Sequence, residues 1–167
     1  MAVSNIRKNK KLYVPYIITA IFTVMMFFMN ISIVKNKNVA AMRGGQNVVV
    51  LLQVALVVSF IFSAVFLFYT NSFLMKRRTK EIGLYNILGM EKKHISLMML
   101  FENVIITIIS LIAGIVFGII FSRLMFLVLM KLIKADSVPA FVISTNAVVV
   151  TIIYFISIFA VIFIYNF

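Results

Sequence analysis

Cysteine and tryptophan are both absent from this 167-residue chain, and only four residues are acidic. The absence of cysteine excludes disulfide bonds and thiolate metal sites, and it leaves the redox compartment undetermined. Without tryptophan, any aromatic belt at a membrane surface must come from tyrosine and phenylalanine. Sixteen Lys and Arg against four Asp and Glu give a net charge of +12. Because these cations lie at the ends of apolar runs, membrane topology and anionic lipid headgroups explain the charge more simply than nucleic acid, which we do not expect as a partner.

Hydrophobic residues dominate what is present. They make up 64% of the chain, charged residues make up 12%, and the mean hydropathy is +1.17. Charged residues are about a quarter of a typical soluble domain, so the composition indicates a membrane protein. Since roughly 20 helical residues cross a bilayer core, four apolar runs are long enough to span it. These runs cover residues 12–34, 48–75, 96–122 and 141–165. The sequence therefore predicts an all-α, polytopic membrane protein with four transmembrane helices.

The first apolar run follows a short basic tail, so it could be an anchored span or a cleaved signal peptide. Its apolar part is longer than the apolar region of a typical signal peptide, which has about 7–15 residues. Lys35 and Lys37 follow it, as in a stop-transfer sequence. We therefore interpret it as an anchored span. Pro15 is predicted to lie in the first turn of this helix, where a proline removes no needed hydrogen bond.

The distribution of Lys and Arg indicates how the helices are oriented. With the N-terminus in the cytoplasm, the tail contributes four cations and the connector between the second and third runs contributes six. The connections on the other side contribute six in total. The excess of ten over six on one side favours an arrangement with both termini in the cytoplasm (N-in/C-in), as the positive-inside rule predicts.

The connector from Lys76 to Glu102 carries most of the functional information in the sequence. Its first part, residues 77–88, is predicted to form an imperfectly amphipathic helix that leaves the membrane. Gly89 then provides a helix stop at which a positive φ costs little, and Glu91 begins the helix that re-enters as the third span. Such a connector is either a solvated loop resting on lipid headgroups or a docking element for a cytoplasmic partner. Spacing alone does not separate these two interpretations.

The run RRTKEIGLYNILGM at residues 77–90 resembles the signature of FtsX-like ABC transporter permeases. In that family a basic pair, E-I-G and L-G follow the second helix, a Glu begins the third helix, and small residues lie deeper in it. Glu102, Gly114 and Gly118 match these later positions. The resemblance implies that residues 77–90 form a cytoplasmic coupling helix, between the second and third spans, that docks on an ABC ATPase. It assigns ATPase-coupling positions to Arg77, Arg78, Lys80, Glu81, Ile82, Gly83, Leu84, Leu88, Gly89 and Met90.

The resemblance also implies a domain division and a subfamily. Residues 48–167 correspond to the permease domain, and residues 1–47 hold the basic tail, the first helix and a short outer loop. That loop has only about a dozen residues. A short first outer loop is similar to the bacitracin and antimicrobial-peptide resistance permeases of Gram-positive bacteria, which carry their large outer domain much later in a longer chain.

This similarity implies a multi-pass permease of a bacterial cell membrane that is not an enzyme and needs no cofactor. ATP hydrolysis would belong to a separate ATPase subunit, expected as a dimer, since the sequence has no G-x-x-x-x-G-K-[ST] motif. The ligand would be a peptide antibiotic or its lipid-linked complex. The chain is then either a fragment or a half-permease that assembles with the remaining permease helices or a second permease chain. The competing interpretation is a small non-transport four-helix membrane subunit with a regulatory or immunity role.

Three further positions are candidates for a specific role. Glu102 lies in an apolar run, where an ionised carboxylate is costly, so it is predicted to pair near the cytoplasmic boundary or to couple ATPase motion to the helices. Gly114 and Gly118 share a helix face and are predicted to pack within the chain rather than in a dimer. His94 is the one histidine, so a histidine metal cluster is excluded and no metal site is expected.

Overall fold

Four helices make up the computed structural model, which describes residues 9–36, 45–87, 89, 92–132 and 144–166. In chain order they are α1 (Lys10–Val34), α2 (Gly45–Ile87), α3 (Lys92–Leu132) and α4 (Thr145–Asn166). Each contains an apolar stretch long enough to cross a membrane, and no strand occurs in these ranges. The predicted all-α membrane protein with four spanning helices is confirmed. The predicted beginning of the fourth span, residues 141–143, lies outside the described residues.

Two of the helices, α2 and α3, are about twice as long as one span requires. With 43 and 41 residues, they measure about 64 and 61 Å, against a hydrocarbon core of about 30 Å. The second helix passes from its apolar part through Lys76 to Ile87 without a break. The third continues past Arg123 to Leu132, so the apolar run beyond residue 122 extends the helix.

The central helix of the bundle is α1. It packs along both α2 and α3, which contact each other little, and it also contacts α4. Its aromatic side chains fill the core, and Tyr16, Phe27 and Phe28 are at most 2% exposed. A helix that is apolar on every side can be surrounded by protein, and α1 carries no charge from Leu12 to Val34.

In contrast to α1, α2 buries one narrow stripe. Its buried side chains recur every three or four residues, as expected for a helix that touches the bundle along a single face. They are Ser63, Leu67, Asn71, Leu74 and Arg78. Its other faces carry exposed apolar side chains through the span, including Val57 and Phe62. The stripe therefore brings Arg78, and not its neighbour Arg77, into the bundle.

The glycines of α3 allow close contact with α1. A Cβ atom at Gly114 would lie 2.6 Å from the Cβ atom of Val24, and one at Gly118 would lie 2.7 Å from Cδ1 of Phe28. Both distances are far inside van der Waals contact, so only glycine fits with the helices in these positions. The G-x-x-x-G face thus packs inside the chain, against the central helix.

The predicted position of Pro15 is wrong by about one turn. The helix begins at Lys10, ahead of the apolar run, so Pro15 is its sixth residue and lies inside it. Its missing N–H would otherwise bond to the carbonyl of Lys11. The helix includes Lys10 and Lys11 of the basic tail. A prediction from the apolar run alone therefore placed the beginning of the helix too late.

Candidate functional site

An ion pair between Arg78 of α2 and Glu102 of α3 lies inside the bundle. Arg78 Nη1 is 2.5 Å from Glu102 Oε2, and Nη2 is 3.4 Å from Oε1. Both residues are 2% exposed. Arg78 continues the buried stripe of α2, and Glu102 lies one turn before the buried Ile106 of α3. An ionised side chain inside a membrane bundle is costly unless it is paired, so each of these charges compensates the other.

A third side chain, Tyr13 of α1, completes this site. The Tyr13 hydroxyl donates a hydrogen bond of 2.7 Å to Glu102 Oε2. The Arg78 guanidinium lies 5.3 Å from the centre of the Tyr13 ring, which is within the roughly 6 Å of a cation–π contact. Tyr13, Arg78 and Glu102, which we call the charge cluster, therefore join three helices at one buried point.

Glu81 connects the charge cluster to the residue that precedes α1. The side-chain amide of Asn9 donates to both carboxylate oxygens of Glu81 at 3.0 Å. Arg78 Nε lies 3.9 Å from Glu81 Oε2, and the Glu81 side chain is 32% exposed. A partly exposed contact at that distance is weak by itself. It nevertheless extends the polar network from the buried Arg78 to the partly exposed Glu81, both of which lie in the predicted coupling segment.

A small cavity with several polar side chains in its lining adjoins the charge cluster. It has a volume of about 30 Å³, and its polar lining includes Tyr16, Asn71 and Asn103 as well as the cluster itself. The Tyr16 hydroxyl is buried and has no hydrogen-bond partner within the described part of the chain. Such a volume is large enough for one water molecule. The charge cluster therefore borders a space that could hold one water molecule beside several polar side chains.

The predicted coupling residues occupy three kinds of surroundings, and Glu81 is the half-buried one. Arg77, Gly83, Leu84 and Gly89 are exposed, whereas Arg78 is buried. Gly89 has a φ of +83°, which confirms the predicted positive φ at the helix stop. The side chains of Lys80, Ile82, Leu88 and Met90 lie outside the described residues. The structure thus brings Arg78, Glu81 and Glu102 into one network and leaves the exposed positions apart from it.

Sequence reasoning missed Asn9 and Tyr13. Asn9 reads as part of a polar tail, and Tyr13 reads as one more tyrosine at the end of an apolar run. Tyr13 is 89 residues from its partner Glu102 in sequence, so no local pattern signals the contact. Among the residues that the structure describes, no group of three His, Cys, Asp or Glu side chains could hold a metal ion.

Comparison with known proteins identifies the family. The model of the FtsX-like permease C-terminal family matches residues 53–167, which is well over half of the chain. The chain therefore belongs to the FtsX-like permease family, and the resemblance read from residues 77–90 is confirmed. The match covers most of α2 together with α3 and α4. The central helix α1, which supplies Tyr13, precedes it.

Three relatives of the chain are named as ABC transporter or export permeases. It is 32% identical over 161 residues to the uncharacterized ABC transporter permease YvcS of Bacillus subtilis, covering 95% of this chain and 25% of the relative. It is 31% identical over 165 residues to the bacitracin export permease protein BceB of the same organism, covering 98% and 25%. It is 29% identical over 167 residues to BceB of Halalkalibacterium halodurans, covering 100% and 26%. The chain thus spans about a quarter of the length of these curated relatives.

Proposed function

We propose that this chain supplies the helices through which an ABC transporter permease receives motion from a cytoplasmic ATPase subunit. The observation that carries the proposal is the unbroken path of α2 from its apolar span to Ile87. The next helix, α3, begins only five residues later at Lys92. We call the end of α2 near Ile87 its tip. A force applied near this tip therefore acts on two helices that both enter the bundle.

Exposed apolar side chains near the tip of α2 are suited to contact a partner. Leu84 is 57% exposed and Ile87 is 83% exposed. They lie beyond the basic residues Lys76 and Arg77, which mark the expected membrane boundary. Apolar side chains that protrude outside the bilayer favour docking in a groove of another protein, as helix-in-groove contacts do. Gly83, exposed on the same segment, allows a close approach of the partner backbone.

The charge cluster supports transmission from the tip to the rest of the bundle. Since α2 and α3 contact each other little along their length, the pair of Arg78 and Glu102 is a principal direct link between them. Tyr13 ties the same link to the central helix. A displacement of the segment from Arg77 to Met90 would thus move α1 and α3 together with α2. In this account Arg78 transmits the motion inside the bundle and does not itself contact the ATPase.

The relatives support a finer assignment of substrate and location. Two of them are named bacitracin export permeases of Bacillus-type bacteria. By that similarity, the transporter would act on a peptide antibiotic or its lipid-linked complex in the cell membrane of a Gram-positive bacterium. Both termini of this chain would face the cytoplasm, where the ATPase dimer docks. The permease domain of residues 48–167 would assemble with α1 and with further permease helices or a second permease chain.

Site-specific photo-crosslinking tests the docking surface. A photoreactive amino acid is placed at Leu84 or Ile87, and the chain is expressed in the membranes of its own host. The matched control carries the same group at Leu132, which is 77% exposed at the far end of α3. We expect a cross-linked product that contains an ABC ATPase at positions 84 and 87 and none at 132. Equal labelling at all three positions, or no ATPase in any product, would contradict the proposal.

A further inference from the structure

Two hollows lie along one side of the contact between α1 and α2, and we call them together the groove. It consists of a cleft of about 180 Å³ near the beginning of α1 and a cavity of about 340 Å³ farther along the same two helices. Eight of the sixteen lining positions follow one repeat in both helices. They are positions 11, 15, 22 and 26 of α1 and positions 62, 66, 73 and 77 of α2. A spacing of four, seven and four residues returns to nearly the same helix face each time, so the cleft and the cavity lie on the same side of the two helices.

The cleft is basic. Among the residues that the structure describes, Lys11 and Arg77 line it, one from each helix, and no acidic residue does. Both are exposed. The Arg77 guanidinium lies 4.6 Å from the centre of the Phe73 ring, which also lines the cleft. Glu81, the next acid along α2, is engaged by Asn9 and does not belong to the lining. Within the described part of the chain, the cleft therefore presents two cations to an anion without a competing carboxylate.

The cavity is apolar and open to the lipid side. It is lined by Phe22 and Met26 of α1 and by Phe62 and Phe66 of α2, which are between 42% and 67% exposed. The nearest lining positions of cleft and cavity along one helix, residues 70 and 66 of α2, are about 6 Å apart. That separation fits within one leaflet, whose apolar depth is about 15 Å, half of a typical bilayer core. The groove thus has a charged end and an apolar end at the separation of a lipid headgroup and its acyl chain.

We propose that this groove binds one anionic phospholipid. Its phosphate lies between Lys11 and Arg77, and one acyl chain lies along Phe73, Phe66 and Phe62. The guanidinium and ammonium groups pair with the phosphate, and arginine offers it two parallel N–H donors. A zwitterionic lipid brings its own cation next to this basic pair, so it binds less well. The bound lipid covers part of the exposed face of α2 and holds that helix against α1, whether or not the tip of α2 docks on an ATPase.

The absence of tryptophan allows a direct test in the whole chain. A Phe66→Trp variant carries a single fluorophore in the groove, and a Phe117→Trp variant carries one on α3, where Phe117 is 48% exposed outside the groove. Each is reconstituted in phosphatidylcholine bilayers with brominated phosphatidylglycerol, which quenches tryptophan on contact. We expect phosphatidylglycerol to be preferred over phosphatidylcholine by about tenfold at position 66 and hardly at all at position 117.

Charge variants show whether the basic cleft causes the preference. In the Phe66→Trp background, Lys11→Gln with Arg77→Gln is expected to reduce the preference to the value at position 117, and Lys11→Arg with Arg77→Lys is expected to retain it. The matched control removes two exposed cations elsewhere, Arg123→Gln with Lys131→Gln, and leaves the preference unchanged. Circular dichroism verifies that each variant is folded.

Three outcomes would overturn the proposal. The first is equal quenching at positions 66 and 117 in the folded parent variants. The second is an equal loss of preference in both double-Gln variants, which would indicate a general effect of net charge. The third is displacement of the brominated lipid by inorganic phosphate added to the buffer, which would indicate a site for free phosphate rather than for a lipid.

Discussion

Arg77 and Arg78 are neighbours in sequence and lie in opposite surroundings. Arg78 is 2% exposed and pairs with Glu102 inside the bundle. Arg77 is exposed and stacks on Phe73 at the surface between α1 and α2. Successive helical residues point about 100° apart. Arg77 therefore lies on an exposed face of α2, and Arg78 lies on the buried stripe. The two residues of this basic pair therefore occupy different environments in this chain.

Replacing Glu102 with Gln should destabilise the bundle strongly. The variant leaves the buried Arg78 charge with only the partly exposed Glu81, 3.9 Å away, as a counter-charge. Removal of one partner of a buried ion pair costs about 3–5 kcal/mol. The free energy of unfolding is measured by detergent titration of the reconstituted chain, followed by circular dichroism. The double variant Arg78→Met with Glu102→Leu should recover most of the loss, because no charge remains buried. A double variant less stable than Glu102→Gln would contradict this account.

Replacing Tyr13 with Phe should have a smaller effect of the same sign. The ring and its contact with Arg78 remain, but the hydrogen bond to Glu102 is lost, and a hydrogen bond to a charged group contributes about 1.5–3 kcal/mol. Tyr165→Phe is the control, because Tyr165 is 72% exposed, and its unfolding free energy should change by no more than about 0.5 kcal/mol. If the two substitutions have equal effects, the tyrosine hydroxyl does not hold the charge cluster.

Two Gly-to-Ala substitutions should change stability in opposite directions. At Gly114 the added methyl group would meet Val24 at 2.6 Å, so α1 and α3 must separate, and overpacking of this kind costs about 1–3 kcal/mol. At Gly83 the new methyl group meets nothing within 4 Å, and alanine is the better helix former by up to about 1 kcal/mol. The same detergent titration measures both variants. A loss of stability at Gly83 would mean that this glycine has a contact beyond the described residues.

Replacing Gly89 with Ala should strain the turn between α2 and α3. A φ of +83° is easily reached by glycine, whereas an L side chain in the left-handed region costs about 1–2 kcal/mol. Asn tolerates this region better than Ala, so Gly89→Asn should lose less stability. Photo-crosslinking from Leu84 in the Ala variant should also give less ATPase product, because the tip is rearranged. Equal stability of the Ala and Asn variants would show that the turn adjusts without strain.

Part of the candidate site could be predicted from local sequence. Glu102 stands out because it is an acid in an apolar run, and Gly89 stands out because it interrupts a helical pattern before a short connection. The partners of Glu102 could not be predicted. The connector offers four cations before the turn, and which of them points inward depends on the rotation of α2. That rotation is decided by the stripe from Ser63 to Arg78.

The sequence by itself determined the class of protein, the four spans and the family. Hydropathy and composition are properties of each segment alone, and the motif at residues 77–90 is contiguous, so neither needs a fold to be read. Only the tertiary structure decided that α1 is the central helix and that Tyr13 completes the charge cluster. It also decided that Arg77 is exposed whereas Arg78 is buried. In a membrane protein the faces toward lipid and toward other helices are both apolar, so the sequence pattern does not say which face packs and which partner it meets.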